Sequence, residues 1–580
     1  MIAGISGTTA DVSGLDLTSC DREPIRVPGA IQPQGVLLVL RTDLSIVQAS
    51  ANTAEMLGID AQILVGKPLS ELLGVAQTSR LGRCIEGCRL AREQRSDAAI
   101  RVAIAVGGRV QRFDACIVQI DPVVLLELEP SSDRDALSLS SFQAIVRQTM
   151  SRVRGATTVR TLAQAVAEQM RVMSGYDRVW VYRFHADWHG EIIAESKREG
   201  IDSWLGMHYP ASDIPVQARE LFVEHPLRLI ADVDYVPVPL VPVLDPESGK
   251  PLDLSASVLR SVSPIHRQYM RNMGVHASLV VSLIKDGVLW GLVSGHSYAG
   301  PMIVRRDVRT VCEFLGQAFS VQLALADVVE ERDQRLRAQS ATSALLGALV
   351  TDSNPIAAVL FGPTSMLELG NATGAAVIIG GQTRTSGRVP GDEELRAIVK
   401  WLDRLPESTD GTANDATFCT TELSAHLSLA TAFTESASGL LACRLGAGTR
   451  GNYLLWFRGE RRQVITWAGD PAKPLSADDP ERLSPRGSFA LWEQEVRGTC
   501  ESWHASIVEA ARILGAVMSH IVVVSGEVGS SDGSAIAALS QLTRRVASPH
   551  DDSANAAFME RLATRIEAFI RDLNDELASG

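Results

Sequence analysis

The amino-acid sequence predicts an α+β protein of several domains joined by a long helix, and three observations support this. With 580 residues, the chain is long enough for about three to five domains of ordinary size. Short apolar runs typical of strands alternate with segments that have helical spacing. Residues 304–345 contain no proline, and Val308, Leu315 and Phe319 recur there at helical intervals, which predicts one long helix.

The composition excludes several classes of protein. The chain is 46% hydrophobic and 21% charged, which is typical of folded globular proteins. Its net charge of -13 and the lack of a Lys/Arg-rich block argue against a nucleic-acid partner. We expect a cytoplasmic protein with no membrane partner, because the N-terminus does not look like a signal peptide and no 18-residue run is wholly apolar. The eight scattered cysteines are expected to be mostly reduced thiols.

The first predicted unit ends at the polar segment 131–135. Its strands are expected at residues 35–40, 99–106 and 114–129, with helices in NTAEMLGID and LGRCIEGCRLARE between them. The pattern indicates a small α+β domain.

A second unit is expected over about residues 140–325. Its strands are predicted at 178–184, 190–196, 277–287 and 288–297. The last two are joined at Lys285-Asp286-Gly287, whose Asp-Gly pair predicts a tight hairpin.

The charged segment 330–337 suggests that the long helix then enters solvent. A third unit follows to about residue 525, with strands predicted at 372–380, 452–458 and 462–469. Near the C-terminus, Leu562, Ile566, Phe569, Leu573 and Leu577 form one helical stripe. This stripe predicts a dimerisation or partner-binding helix.

The segment PASDIP, residues 210–215, is the first candidate for a binding function. Its two prolines limit sheet pairing, so carbonyl groups near Asp213 could accept hydrogen bonds from a ligand rich in N–H groups. The alternative is a plain turn before the helix predicted in VQARELF.

Several segments together resemble the phytochromes. Four segments resemble the phytochrome GAF domain: PASDIP, Tyr182-Arg183-Phe184, DWHGEIIAE and SPIHRQYMRNMGV. The segment LTSCDREPIRVPGAIQPQG, which contains Cys20, resembles the N-terminal segment of bacteriophytochromes. The segment PRGSF at 485–489 resembles the tongue of the PHY domain. The resemblance implies three domains, each an antiparallel sheet flanked by helices. The expected order is an N-terminal extension with the attachment cysteine (1–20), PAS (21–130), GAF (140–325), PHY (326–525, tongue about 462–503), and a linker with the C-terminal helix (526–580).

The resemblance also implies a pigment and its contacts. The pigment is biliverdin, a linear tetrapyrrole, linked by a thioether to Cys20, because Ile265 stands where other phytochromes carry their GAF cysteine. Arg228 and Arg260 would face the two propionates. The Asp213 carbonyl and a water near His266 would face the ring nitrogens. The resemblance implies that Tyr182, Tyr209 and Tyr269 surround the ring that isomerises and that His296 bonds the carbonyl of that ring. The hydroxyls of Ser263 and Ser278 would also contact the pigment. The remaining implied pigment contacts are Ile214, Pro215 and Phe222.

Three positions depart from the family pattern. Phe222 stands where a tyrosine is common in the family, and Val280 stands where a serine or similar small residue often contacts a propionate. Ser297 stands where the family usually has the second of two consecutive histidines. These changes put the tuning of the pigment in doubt more than its binding.

In the tongue, Arg486 would pair with the Asp213 carboxylate in one state, with Ser488, Trp467 and Trp492 as further switch residues. Loss of that ion pair after isomerisation would carry the signal to the PHY domain and the helical spine.

The sequence therefore predicts a red/far-red photoreceptor that acts as a homodimer through its helical spine and C-terminal helix, catalyses no reaction, and signals to an unidentified partner. His550 lies in a polar segment unsuited to a phosphoacceptor. The alternatives are the sensory part of a light-regulated histidine kinase and a PAS/GAF sensor of another small molecule.

No metal site is expected. His185 and His189 are four residues apart with Asp187 between them, but they follow a strand rather than lie on a helix, and no third ligand has a characteristic spacing. We therefore expect His185 and His189 to lie in an ordinary surface loop.

Overall fold

The computed structural model describes residues 23–91, 100–131, 143–144, 147–148, 158–351, 355–405, 417–446, 450–469, 489 and 491–527. Contacts between residues divide the chain into two compact units. The first comprises residues 1–327 with 465–493, and the second comprises 328–464 with 494–580. The PAS and GAF regions expected from the sequence thus belong to one compact unit.

The N-terminal part of the first unit is built from short strands and helices. In chain order these are β1 (Ala30–Ile31), β2 (Val36–Leu40), β3 (Ile46–Ser50), α1 (Thr53–Leu57), α2 (Ala61–Leu64), α3 (Leu69–Ala91), β4 (Ile100–Val106), β5 (Arg109–Ile120) and β6 (Val123–Pro130). The run predicted as one strand at 114–129 is two strands, β5 and β6. A turn at residues 121–122 separates them, and Pro122 there has no amide hydrogen for a strand ladder.

The next part of the chain runs to the long helix. Its elements are α4 (Val159–Ser174), β7 (Arg178–Phe184), β8 (Gly190–Lys197), β9 (Met207–Tyr209), α5 (Val216–Glu224), β10 (Leu227–Ile230), β11 (Val238–Val241), α6 (Pro264–Asn272), β12 (Ala277–Lys285), β13 (Val288–Ser297) and α7 (Arg306–Thr351). A turn at Asp286 and Gly287, both with positive φ, joins β12 to β13, as the Asp-Gly signal predicts.

The elements after α7 are α8 (Pro355–Phe361), α9 (Met366–Gly370), β14 (Gly374–Ile379), β15 (Gln382–Gly387), α10 (Asp392–Leu402), β16 (Thr417–Thr420), α11 (Thr434–Ala437), β17 (Gly439–Arg444), β18 (Tyr453–Arg458), β19 (Gln463–Ala468), β20 (Leu491–Val496) and α12 (Ala505–Glu527). Five of these strands form the sheet of the second unit, in the order β15-β14-β18-β17-β16. Its core contains the fully buried Trp456, whose indole N–H donates to the carbonyl of Met366 at 2.7 Å.

The larger sheet of the first unit has eight strands in the order β10-β12-β13-β7-β8-β9-β19-β20. Strand β19, which lies within the region predicted as the third unit, pairs in parallel with the short strand β9. This pairing satisfies backbone groups on the side of β9 that faces away from β8.

The two faces of the eight-stranded sheet are both buried. Val179 and Val181 of β7 point to one face, where α4 and α7 pack, and Leu315 and Phe319 of α7 belong to that core. Side chains alternate along a strand, so Trp180, Tyr182 and Phe184 point to the opposite face, where a second cluster forms. The central residues of β7, Val179 to Tyr182, are therefore apolar because both sides of the strand are covered there.

Helix α7 confirms the long helix predicted from the sequence. By length and composition alone, its segment Arg306–Leu349 would also be apolar enough to cross a membrane. Its buried residues Val311, Cys312, Leu315, Phe319 and Leu323, however, form part of the core of the first unit. The need to pack against the sheet accounts for this apolar character.

The N-terminal sheet has the order β1-β11-β3-β2-β6-β5-β4. Strand β11 comes from residues 238–241, yet it lies between β1 and β3 and pairs with both in antiparallel fashion. The two regions expected as separate PAS and GAF domains are thus joined through a common sheet, which local sequence patterns did not predict.

A buried glutamine reinforces this joint. The Gln32 side chain is completely inaccessible to solvent. It donates to the carbonyls of Leu229 (2.8 Å) and Arg260 (3.3 Å) and accepts from the amide of Ala231 at 3.2 Å. The joint therefore depends on polar contacts that are protected from water.

Replacement of Gln32 should destabilise the first unit. In Gln32→Met the volume is nearly conserved, but buried backbone groups lose their partners, which should cost about 2 to 4 kcal/mol. Urea unfolding followed by tryptophan fluorescence measures the loss, with the exposed Gln62→Met as the matched control. Equal stability of the two variants would contradict the assigned role of Gln32.

Candidate functional site

A cavity lies on the face of the eight-stranded sheet opposite α4 and α7, between the sheet and helices α5 and α6. All thirteen residues predicted as pigment contacts line it. They are Tyr182, Tyr209, Asp213, Ile214, Pro215, Phe222, Arg228, Arg260, Ser263, His266, Tyr269, Ser278 and His296. Ile265 and Val280, two positions where the chain departs from the family pattern, also line the cavity.

The segment 210–215 forms a single tight turn before α5. Residues Ala211–Asp213 form a 3-10 helix, and the amide of Asp213 donates to the carbonyl of Pro210 at 3.1 Å. Helix α5 begins directly after Pro215. The Asp213 carboxylate accepts a hydrogen bond from the Tyr269 hydroxyl at 3.0 Å. The turn thus places a carboxylate at the cavity wall and links it to α6.

Helix α6 presents His266 and Tyr269 to the cavity. Ser263 caps the helix, since its hydroxyl accepts from the amides of Ile265 (3.1 Å) and His266 (3.3 Å). His266 and Tyr269 are three residues apart and therefore share one helix face, with ring centroids 6.1 Å apart and nearly parallel planes. The Ser263 hydroxyl also donates to Glu23 at 2.7 Å, which brings the N-terminal segment to the cavity.

Two arginines provide positive charge. The guanidinium of Arg228 donates to the carbonyls of Ser257 (3.1 Å) and Arg260 (2.8 Å), and that of Arg260 donates to the carbonyl of Ile25. Within the described ranges, neither forms an ion pair with a carboxylate. Burial lowers the pKa of both arginines, and for Arg260 the nearby charge of Arg228 lowers it further. The charges of Glu127 and Asp253 act on Arg228 and Arg260 respectively, but neither carboxylate is in direct contact with its arginine in the described part of the chain.

The two histidines of the cavity are neutral at physiological pH. Burial, followed by the charge of Arg228, lowers the pKa of His266 to about 4. Burial and the charges of Arg178 and His266 lower the pKa of His296 to about 3. A neutral imidazole offers one donor and one acceptor, so each ring can form hydrogen bonds of both kinds with a ligand.

Several buried polar atoms on the cavity wall have no hydrogen-bond partner among the described residues. These atoms are Nδ1 of His296, the hydroxyls of Ser278 and Tyr209, and Nε of Arg260. Buried polar groups are rarely left without partners, because each costs free energy comparable to a lost hydrogen bond. The cavity is therefore built for a ligand with several polar groups.

An aromatic wall closes one side of the cavity. The rings of Tyr182 and Tyr209 lie 6.0 Å apart, and Tyr182 also packs edge-on against Phe184 at 5.1 Å. Gly190 makes this packing possible, since a Cβ atom there would lie 1.8 Å from the Tyr182 ring. The glycine of DWHGEIIAE thus sets the position of Tyr182.

The predicted attachment and tongue residues are only partly described. Cys20, Arg486 and Ser488 lie outside the described residues. The expected ion pair between Arg486 and Asp213 therefore stays a prediction. Trp467 lies in β19 and Trp492 in β20.

Sequence reasoning missed several residues of the site. Glu23, Ile25, Trp180, Met270 and Met273 also line the cavity. Phe489, from the segment PRGSF, packs edge-on against Tyr269 with ring centroids 5.2 Å apart. Methionines and single aromatic residues carry no spacing signal of their own, but Phe489 could have been found because it lies within a recognised motif.

Comparison with protein families covers most of the chain. The model described as "PAS fold" matches residues 20–131, "GAF domain" matches 158–326, and "Phytochrome region" matches 338–526. The order agrees with the PAS, GAF and PHY order predicted from the sequence.

Curated relatives are phytochromes. Cyanobacterial phytochrome B of a Nostoc species is 38% identical over 88% of this chain and 66% of its own length. A bacteriophytochrome of Xanthomonas campestris is 34% identical over 86% of this chain and 78% of its own length. The chain thus spans about two thirds to three quarters of these relatives.

Solved structures extend the likeness to the fold. The photosensory core module of a Stigmatella aurantiaca phytochrome has a TM-score of 0.70 and 40% identity, covering 89% of this chain and 99% of that one. A bacteriophytochrome of the photosynthetic bacterium R. palustris has a TM-score of 0.74 and 36% identity, covering 88% of this chain and 99% of that one. The chain belongs to the phytochrome family of photoreceptors and contains that family's PAS, GAF and PHY photosensory core.

Proposed function

We propose that the chain senses red and far-red light through biliverdin, held in the cavity between α5, α6 and the eight-stranded sheet. The single observation that carries the choice of ligand is the pair of guanidinium groups of Arg228, which is half-buried, and Arg260, which is buried. Burying a cation without an anion is costly, and a ligand with two carboxylates removes that cost at both arginines. Biliverdin has two propionates, four pyrrole or lactam nitrogens and a large apolar face.

The other groups on the cavity wall fit the same ligand. The unpartnered Nδ1 of His296 and the hydroxyls of Ser278 and Tyr209 match a pigment with polar groups at several points along its length. Tyr182, Tyr209, Ile214, Pro215 and Phe222 supply apolar surface for its rings. When bound, biliverdin supplies the absorption of light and the isomerisation of a double bond.

The polar residues have distinct roles in this proposal. Asp213 provides a backbone carbonyl to the pigment nitrogens, and its carboxylate stays oriented by the Tyr269 hydroxyl. His266 is neutral and holds a water beside the same nitrogens, while Ser263 contributes a hydroxyl. His296 bonds the carbonyl of the ring that turns.

We assign covalent attachment to Cys20. Its sulfur would add to a vinyl carbon while the thiol proton goes to the neighbouring carbon, so no group leaves. Glu23 lies in the cavity wall. Cys20 precedes Glu23 by only three residues in sequence, and three extended residues span at most about 10 Å, which supports this assignment.

The signal would leave the cavity through the tongue. Phe489 touches Tyr269, and Tyr269 is bonded to Asp213, so this chain of contacts joins the cavity to the PRGSF segment. We assign to Arg486 the light-dependent contact with Asp213. Ser488, Trp467 and Trp492 are further residues of the tongue switch, and the two tryptophans would repack with β19 and β20. The spine helix α7 would transmit the change.

We further propose a cytoplasmic homodimer that catalyses no reaction and signals to a separate partner. Helix α7 supports the dimer, because Val321, Leu325, Val328 and Leu336 expose half or more of their surface along it. Such a row of exposed apolar side chains suits a helix that packs against its own copy. The C-terminal stripe predicted at 562–577 lies outside the described residues.

An absorption spectrum tests the function directly. The chain mixed with biliverdin should develop a red-absorbing band in darkness, and red light should convert it to a different, reversible spectrum. Binding without a light-induced change would favour a non-photochemical small-molecule sensor. Failure to bind would refute the proposal.

The role of the arginines is tested by a double-difference experiment. Arg228→Gln and Arg260→Gln should each weaken biliverdin binding by about 1.5 to 3 kcal/mol, which is the range for a hydrogen bond to a charged group. Wild type should also bind biliverdin dimethyl ester more weakly than biliverdin, whereas the variants should lose most of this discrimination. The exposed Arg271→Gln is the control. Unchanged discrimination in both cavity variants would argue against propionate recognition.

Cys20→Ala should retain pigment binding and lose only the covalent bond, since the cavity contacts remain. Zinc-induced fluorescence on a denaturing gel distinguishes the two. The exposed Cys419→Ala is the matched control and should keep its fluorescent band. A covalent band in Cys20→Ala would assign attachment to another cysteine.

A further inference from the structure

Three histidines meet beside strand β9 of the eight-stranded sheet. His185 and His189 lie in the loop between β7 and β8, and His208 lies on β9. The rings of His185 and His189 are stacked with centroids 4.2 Å apart, and the His208 ring centroid lies 5.3 Å from that of His189. The sequence predicts no metal site here, because the first two histidines do not share a helix face and no third ligand has a characteristic spacing. In the structure, strand pairing brings His208 to them as a third imidazole.

The nitrogen atoms of the three rings are close enough to share one ion. One nitrogen from each lies within 4.8 Å of the others. Tetrahedral coordination at 2.0 to 2.1 Å needs nitrogen–nitrogen separations of about 3.4 Å, and each imidazole binds an ion in the plane of its own ring. The stacked, nearly parallel rings of His185 and His189 must therefore rotate as well as approach. His185 and His189 are on a loop, where such a movement is inexpensive.

His208 gives an independent sign of a ligand. Its residue surface is only 8% exposed, yet its Nδ1 atom is buried and has no hydrogen-bond partner in the described part of the chain. A buried ring nitrogen without a partner is available to a ligand such as a metal ion.

Carboxylates surround the histidines as they do in metal centres. Asp187 contacts Nδ1 of His189 and so leaves Nε2 of that ring for an ion. Glu191 lies 3.4 Å from Nε2 of His185 and also pairs with Arg160 at 2.7 Å. These carboxylates orient the rings and offset positive charge.

We propose that His185, His189 and His208 form a binding site for a divalent transition-metal ion such as Zn²⁺. The fourth position is open to water or to Glu191. Imidazole ligands select Zn²⁺, Ni²⁺, Co²⁺ or Cu²⁺ over Mg²⁺ and Ca²⁺, which prefer oxygen ligands. The site is separate from the cavity, because none of the three histidines lines it.

The position of the site gives it a structural effect. His208 is directly opposite Trp467 in the pairing of β9 with β19, and the Trp467 ring lies 5.6 Å from His189 and 5.7 Å from His208. An ion that fixes the imidazoles therefore also fixes the surface on which Trp467 packs. Metal binding stabilises the attachment of β19 to the edge of the sheet.

Metal binding is tested with the full chain prepared without pigment, since a tetrapyrrole would itself bind zinc. After treatment with a chelator, calorimetric titration with Zn²⁺ should give one ion per chain. Cobalt should give the absorption of a nitrogen-coordinated tetrahedral site. His189→Gln and His208→Gln should each weaken Zn²⁺ binding at least tenfold, whereas the exposed His276→Gln should not.

Hydrogen exchange tests the effect on the strand. Saturating Zn²⁺ should slow amide exchange in residues 465–468 of wild type and of His276→Gln, with no slowing in His189→Gln. His189→Gln decides the case if His208→Gln does not fold, because its side chain lies in a loop. No zinc binding, binding unchanged in His189→Gln, or a cobalt spectrum typical of thiolate ligands would overturn the proposal.

Discussion

Two guanidinium groups without an ion-pair partner in the described chain impose the main constraint on this molecule. Arg228 and Arg260 are held by backbone carbonyls of residues 25, 257 and 260 rather than by acidic side chains. Carbonyl groups orient a cation but do not neutralise it, so the charge remains available to a ligand. The Arg260 carbonyl that accepts from Arg228 also accepts from Gln32, whose contacts join the N-terminal sheet to the rest of the first unit. The joint and the charged part of the cavity thus meet at the Arg260 main chain.

Much of the fold could be predicted from local patterns. Strand β7, the hairpin at Asp286-Gly287 and helix α7 follow from apolar runs, turn residues and helical spacing, all of which are local in sequence. The placement of β11 and β19 could not be predicted this way. Both are short strands that pair with edges formed by distant residues, and their sequences do not specify a partner.

The cavity residues were predicted from a family resemblance rather than from physical chemistry. PASDIP by itself was equally consistent with a plain turn, and the cavity that Arg228 and His296 share depends on strand order in the sheet. His208 shows the limit of spacing arguments. It comes near His185 and His189 only because β9 pairs with β8, so the search for a third ligand at a characteristic sequence interval could not find it.

The insertion of β11 between β1 and β3 has a consequence for synthesis of the chain on the ribosome. Gln48 and Pro242, which are bonded across this joint, are 194 residues apart in sequence. The first hairpins can form early, but the N-terminal sheet is incomplete until β11 has been translated and has left the exit tunnel. Until then the edges of β1 and β3 are exposed to other nascent chains, and such edges favour aggregation. Chaperones would have their main role in this interval, and a gene fragment that stops after residue 130 would encode a sheet with a missing strand.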